Sequence, residues 1–326
     1  MLQYSPKSIA MKSTKPFPLP PTFRLTALAV FLCASCEVQA ALLVYEGFNG
    51  YTPGANFANA ASPNSNTVGL DKSTNFGGAA HSNLTYSTTG LTFGDLRTSG
   101  GSVQFGTTTS ILSAKSALTS AFIGTLYSSF LVNFTSKGSS SSHGFLTRIS
   151  GDINTDAGAR LNSFADSRSN STNAAIAYGS AYGSPALNAT TGLVEGSTYI
   201  VISSFENIGI NLADSTGIGS LYALTLSQFT AMTASPNWES YLNNTTVGTG
   251  ANEISVRVSR TATTGTVTLG VNAEDFFQVV TTGNTGTFDE LRYGSTLEDV
   301  IPLIPEPSSA LLTAIGMLAV LKRRRR

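Results

Sequence analysis

The sequence predicts an all-β protein, an antiparallel sandwich of two sheets. Three observations predict it. Apolar segments are short and bounded by Gly, Ser, Thr and Asn, the punctuation of strands and turns. No long stretch in the middle of the chain sustains helical periodicity. With 31 glycines and 12 prolines across 326 residues, the composition suits many tight connections better than alternating strands and helices.

The elements follow in order. Residues 1–40 precede the first strand. Lys7, Lys12, Lys15 and Arg24 lead into an apolar run at 25–32, and Val38-Gln39-Ala40 places small residues at the two positions a signal peptidase reads. This is the pattern of an export signal, with cleavage after Ala40, and Met11-Lys12 offers an equally good start. Both cysteines, Cys33 and Cys36, fall in the removed segment, so the mature chain is expected to hold no disulfide and no thiolate site. Cys36 after Ala34-Ser35 has the outline of a lipidation site, but Cys33 stands where such a site takes leucine.

Strands are expected at 42–46, 84–86, 102–105, 125–134, 144–150, 174–178, 198–205, 221–226, 253–259, 266–271, 276–280 and 287–293. The segment 125–134 is long, aromatic and free of Gly and Pro, so it is the expected central strand, with 144–150 pairing back on it as a hairpin. Two segments break the pattern. Ile111, Leu112, Lys115 and Leu118 are spaced for a short helix over 110–121, and Phe229, Met232, Trp238 and Tyr241 for one or two helical turns over 227–242, interrupted at Pro236.

Between the terminal segments the chain has ten basic and seventeen acidic residues, an excess of seven negative charges. The cations are scattered singly and the net field repels phosphate backbones, which argues against a nucleic-acid partner. Beyond residue 300 the composition changes again. Pro305-Glu306-Pro307 is followed by an apolar run from Ala310 to Leu321 and then by Lys322, Arg323, Arg324, Arg325 and Arg326. A twelve-residue run spans roughly 18 Å as a helix, short against the ~30 Å core of a bilayer, and the basic end is expected on the cytoplasmic side.

Pro-Glu-Pro, a hydrophobic helix and an arginine-rich end, in that order, resemble the PEP-CTERM sorting signal of Gram-negative envelope proteins. The resemblance implies delivery through the inner membrane to the cell surface or extracellular matrix, with signal peptidase and an exosortase-type membrane protease as processing partners. It divides the chain into 1–40, a body at 41–300 and a sorting segment at 301–326. The body resembles the concanavalin A-like jelly-roll domains, lectin-like or laminin-G-like, in Leu43-Val-Tyr-Glu-Gly-Phe48, Gly100-Gly-Ser-Val103, Ser129-Phe-Leu-Val132, Leu193-Val-Glu-Gly-Ser-Thr-Tyr-Ile200 and Phe288-Asp-Glu-Leu-Arg292 with the following Gly-Ser-Thr. That resemblance implies two antiparallel sheets and a glycan- or matrix-binding role without catalysis. A jelly-roll glycoside hydrolase or polysaccharide lyase, and a purely structural matrix protein, are the alternatives.

Candidate chemistry is sparse. The Glu-x-Asp-x-x-Glu spacing of jelly-roll glucanases is absent, and Glu274-Asp275 and Asp289-Glu290 are adjacent pairs whose members point to opposite strand faces. In a regular strand Phe288, Glu290 and Arg292 share one face, which makes Glu290–Arg292 a surface pair. Asp289, Leu291 and Tyr293 share the other, where a buried Asp289 must accept hydrogen bonds. His81 and His143 sit in polar segments with no evident partner for a triad. Asp152, Asn154 and Asp156 alternate before Gly158 in the manner of half a calcium loop, or of an ordinary polar turn. No cofactor other than calcium is suggested. Trp238, with Asn237 and Tyr241 nearby, is the candidate aromatic platform for polysaccharide, against a role in core packing.

Overall fold

A computed structural model describes residues 42–58, 62–73, 75–77, 83–106, 112–136, 145–150, 160–166, 173–179, 186–187, 193–211, 215–262, 269, 276–281 and 285–304. Among them are fourteen strands, β1 (Val44–Glu46), β2 (Leu84–Ser87), β3 (Ser102–Phe105), β4 (Leu112–Ala117), β5 (Gly124–Ser136), β6 (Phe145–Ser150), β7 (Arg160–Asp166), β8 (Asn173–Gly179), β9 (Ala186–Leu187), β10 (Thr198–Ile208), β11 (Gly217–Leu224), β12 (Val256–Ala262), β13 (Phe276–Thr281) and β14 (Thr285–Gly294). Three short helices accompany them, α1 (Leu226–Thr233), α2 (Trp238–Asn244) and α3 (Leu297–Val300). The protein is an antiparallel jelly-roll sandwich. An eight-stranded sheet runs β12-β11-β10-β5-β14-β3-β2 with β1 added to β14, and a six-stranded sheet runs β4-β13-β6-β7-β8-β9.

The central strand is the expected one. Along β5 the side chains alternate, so Leu126, Phe130, Val132 and Phe134 enter the core between the sheets while Tyr127, Ser129 and Leu131 face outward. Phe130 packs on Phe288 of β14, and Phe134 meets Phe105 of β3 edge to face. Burying each such ring stabilises the fold by about 1.5–3 kcal/mol. Polar groups that enter this layer are partnered, as where Ser128 and Ser203 share a hydrogen bond of 2.6 Å and the Tyr293 hydroxyl donates to Thr147 of the facing sheet.

The outer face of the eight-stranded sheet has its own cover. Leu131, Ile200, Ile202 and Leu224 pack beneath α1, α2 and α3 and beneath Phe93 and Leu96, forming a second apolar cluster. Two strap segments cross here side by side. Ile304 donates its N–H to Asp95 and Arg97 to Pro302, so the described chain stays docked on the body through Ile304.

Three expectations are corrected. Residues 112–117 form β4 and not a helix. Ala114, Ser116 and Leu118 are buried at period two, and the strand pairs with β13 over six residues. The small Ala and Ser side chains hide that period in the sequence. β6 does not fold back on β5. It pairs with β7 and β13 in the other sheet, while β5 is flanked by β10 and β14. The third correction lies in β14, where Asp289 opposes Leu131 but Arg292 opposes Ser129. One extra residue is inserted, Glu290 at φ 56°, and the bulge resets the alternation. Phe288, Leu291 and Tyr293 therefore all face the core, and the Glu290–Arg292 pair is buried rather than on the surface. The helical turns expected around Pro236 are present as α1 and α2, with Pro236 between them. The strand expected at 266–271 lies outside the described residues except for Leu269, which bridges Phe122.

Candidate functional site

The polar end of the outer sheet face is set by strand register. Tyr127, Ser204, Ser220 and Ser259 line up across β5, β10, β11 and β12, and Ser129, Ile202, Tyr222 and Arg257 form the next row. Neighbouring strands lie about 4.8 Å apart, so each row is a ladder of side chains across the sheet. Helix α2 stands beside these rows. It begins at Asn237, whose side chain accepts from the Ser240 N–H at 2.7 Å, and this cap fixes Trp238 as the first helical residue.

Between α2 and the turn before α3 lies an open cleft of about 580 Å³, lined by Tyr127, Pro236, Asn237, Trp238 and residues 295–298. The turn is held by Asp299, which accepts the Ser295 and Thr296 N–H groups at 2.9 Å each. A smaller pocket of about 180 Å³ continues from the cleft over the sheet rows, sharing Tyr127, Glu239 and Leu297 with it. The two make one groove. Trp238 is half-buried. Part of it packs on the second apolar cluster, and it also lines the cleft, so the platform and packing roles coincide in one ring.

Three carboxylates border the groove: Glu206 at the end of β10, Glu239 on α2 and Glu298 on α3. Tyr127 donates to Glu239 at 3.1 Å, and Tyr222 donates to Asn243 at 2.5 Å. Burial, reinforced by the charge of Glu239, pushes the Tyr127 phenol up to about 12. Burial also raises Tyr222, with Glu239 and Glu206 adding to the shift and Arg257 opposing it. Arg257 donates to the Asn243 and Thr245 carbonyls and braces the C-terminal end of α2. Among the described residues no lysine, arginine or histidine lines either part of the groove.

The acidic motif 289–292 serves a different purpose. Asp289 accepts the Leu91 and Glu290 N–H groups at 2.7 Å, Glu290 accepts from Ser99 and from Tyr45, and Arg292 donates to the Arg97 carbonyl at 2.6 Å and to Glu290. These bonds pin residues 91–99 across the outer face. Asp289 thus does accept the backbone donors its burial requires. Desolvation, helped by the charge of Glu290, pushes its carboxyl up to about 9. Close by, Glu46 accepts from Phe48 N, Tyr51 and Thr67, and its carboxyl is raised by burial against the effect of those donors.

Ala40, Asp152, Asn154, Asp156, His81, His143, Glu274, Asp275, Pro305, Glu306, Pro307, Lys322 and the arginines 323–326 lie outside the described residues. Of the residues marked in the sequence for binding, Trp238 with its neighbours Asn237 and Tyr241 is described, and Trp238 and Asn237 line the groove. Tyr127, Glu206, Tyr222, Glu239 and Glu298 were not marked. Alternation along β5 and β10 places Tyr127, Ser204 and Glu206 on one face, but which strands adjoin is set by pairing at long range. Among the described residues no group of three His, Cys, Asp or Glu side chains is arranged to hold a metal ion, and no helix is long and apolar enough to cross a membrane.

No protein-family model and no curated protein matches the sequence. Solved structures similar to the chain include an alginate lyase variant in complex with alginate trisaccharide, at 13% identity and TM-score 0.38, covering 80% of this chain and 100% of that one. The globular domain of T. cruzi calreticulin is similar at 12% identity and TM-score 0.36, covering 69% and 85%, and peanut lectin at 10% identity and TM-score 0.36, covering 69% and 93%. Overlap at this level assigns no activity, and the sandwich stands on its own strand pairing.

Proposed function

We propose that the folded body is a non-catalytic saccharide-binding module of an exported envelope protein. One observation carries this reading: Trp238 and Tyr127 border an open groove whose remaining lining is fixed hydroxyl, amide and carboxylate groups. Pyranose rings offer an apolar C–H face for an aromatic ring and hydroxyls for such polar groups, so this combination of surfaces suits them. Its openness suits a chain passing through more than a small molecule enclosed. Catalysis has less support. A lyase acting on uronates must neutralise a carboxylate and abstract a proton, whereas this groove offers no cation among its described lining and a Tyr127 phenol that stays protonated up to about 12.

Export and sorting rest on the sequence of residues 1–40 and 301–326. In this reading signal peptidase cleaves after Ala40, and an exosortase-type protease acts at Pro305-Glu306-Pro307 while the apolar run and Lys322 to Arg326 hold the tail in the inner membrane. Replacing Glu306 is expected to leave unprocessed chain in the membrane fraction, and normal maturation of that variant would remove the sorting signal from the account. The binding claim is tested by offering the full chain to a panel of immobilised polysaccharides with and without chelator. Retention on at least one of them is expected. Release of reducing or unsaturated ends instead moves the protein to the hydrolases or lyases, and no retention on any leaves a structural matrix role.

A further inference from the structure

The groove's charge selects among saccharides, and this inference rests on the binding role just proposed. Glu206, Glu239 and Glu298 come from three separate elements, a strand and two helices, and all border the same continuous groove. The hydroxyls of Tyr127 and Tyr222 both feel the charges of Glu239 and Glu206, so the negative potential acts inside the groove and not only at its rim. The nearest described cation on the sheet face, Arg257, is turned to the Asn243 and Thr245 carbonyls. The carboxylates are not gathered closely enough to hold one metal ion. Carboxylates distributed along a groove with an aromatic wall, and with no cation to balance them, complement positive charges distributed along a chain.

The geometry points to a saccharide chain bearing free amino groups, a de-N-acetylated hexosamine polymer, as the ligand of this groove. Each ring of such a chain presents a C–H face to Trp238, while its ammonium groups meet Glu239 and Glu298 on the cleft side and Glu206 on the sheet side. Uronate chains are rejected by the same charges. An N-acetylated chain keeps the ring contact and loses the ionic one.

The test is a titration of the full chain with three soluble probes of equal length: a glucosamine hexamer, an N-acetylglucosamine hexamer and a mannuronate hexamer. At a pH where the amines are protonated, the glucosamine hexamer is expected to bind about ten-fold more tightly than the N-acetylated one, as two or three exposed ion pairs supply. The mannuronate hexamer is expected to show no binding. The preference for amine over acetamide should shrink with added salt, and should disappear when the pH is raised past the amines' own titration. Glu239→Gln and Glu298→Gln should each lower that preference several-fold, with melting temperature recorded to confirm that both variants are folded. Equal affinity for the amine and acetamide hexamers at low salt overturns the amine inference while leaving the groove a saccharide site. Tightest binding of the mannuronate overturns it as well. Absence of binding by all three removes the groove from the account altogether.

Discussion

At the scale of single residues, burial is the effect that decides most. Asp289 is fully buried, and its carboxyl is pushed up to about 9, above the ~3.9 of an unfolded chain. Between those two values the folded state holds a proton that the unfolded state has lost, so this group's contribution to stability is complete below pH ~4 and is lost as pH rises through about 9. Glu46, also raised by burial, acts in the same direction. Melting followed by circular dichroism should therefore give a midpoint that falls from pH 5 to pH 9, with a shallower slope in Asp289→Asn; a midpoint that rises over that range contradicts the assignment. Glycine 101 offers a test of a different kind. A Cβ there would sit 1.9 Å from the Phe48 carbonyl oxygen, whereas one at Gly100 would meet nothing within 4 Å. Gly101→Ala is expected to cost more than about 2 kcal/mol in a denaturant titration, and Gly100→Ala less than about 0.5. The pair Gly100-Gly101 looks like one turn in the sequence, yet only its second member is held by close approach.

At the scale of elements, α1 and the loop after α2 are joined through Gln228. Its amide is wholly buried and fully used. The oxygen accepts from Thr225 N, Ser255 N and Ser255 Oγ, and the nitrogen donates to the Gly248 and Gly250 carbonyls. Gln228→Leu keeps the volume but strands several backbone groups, an expected loss of about 2–4 kcal/mol, with amide exchange rising across residues 246–255. Exchange confined to α1 would show that Gln228 serves the helix alone. Elements also show where the sequence was legible and where it was not. β5 was evident because its alternation of large apolar and polar side chains is strong. β4 was mistaken for a helix because its buried positions are Ala114 and Ser116, too small to display a period. The bulge at Glu290 was invisible in the sequence. Nothing marks an inserted residue, and a shift of one place moved the Glu290–Arg292 pair from the surface to a site 0% and 2% exposed. The short contacts between 289–292 and 91–99 explain why Asp289, Glu290 and Arg292 occur together. They fasten a strap and take no part in the groove.

At the scale of the whole molecule, the two faces of the eight-stranded sheet divide the labour. One face builds the core with the six-stranded sheet, and the other carries the straps, the helices and the groove. Composition and turn residues were enough to foretell a sandwich, because burial of short alternating segments has few other solutions. The groove was legible only through Trp238. Its other members come from β5, β10, β11, α2 and α3, which meet through pairing partners far apart in sequence, as when Ser204 joins Tyr127 and Ser220. The claim that this face binds a saccharide chain is tested most directly by isothermal titration of the glucosamine hexamer into the full chain and into Trp238→Ala. The account predicts measurable binding by the parent chain and at least about ten-fold weaker binding by the variant, since the ring supplies stacking area that alanine lacks. Unchanged affinity in a folded Trp238→Ala chain would contradict it.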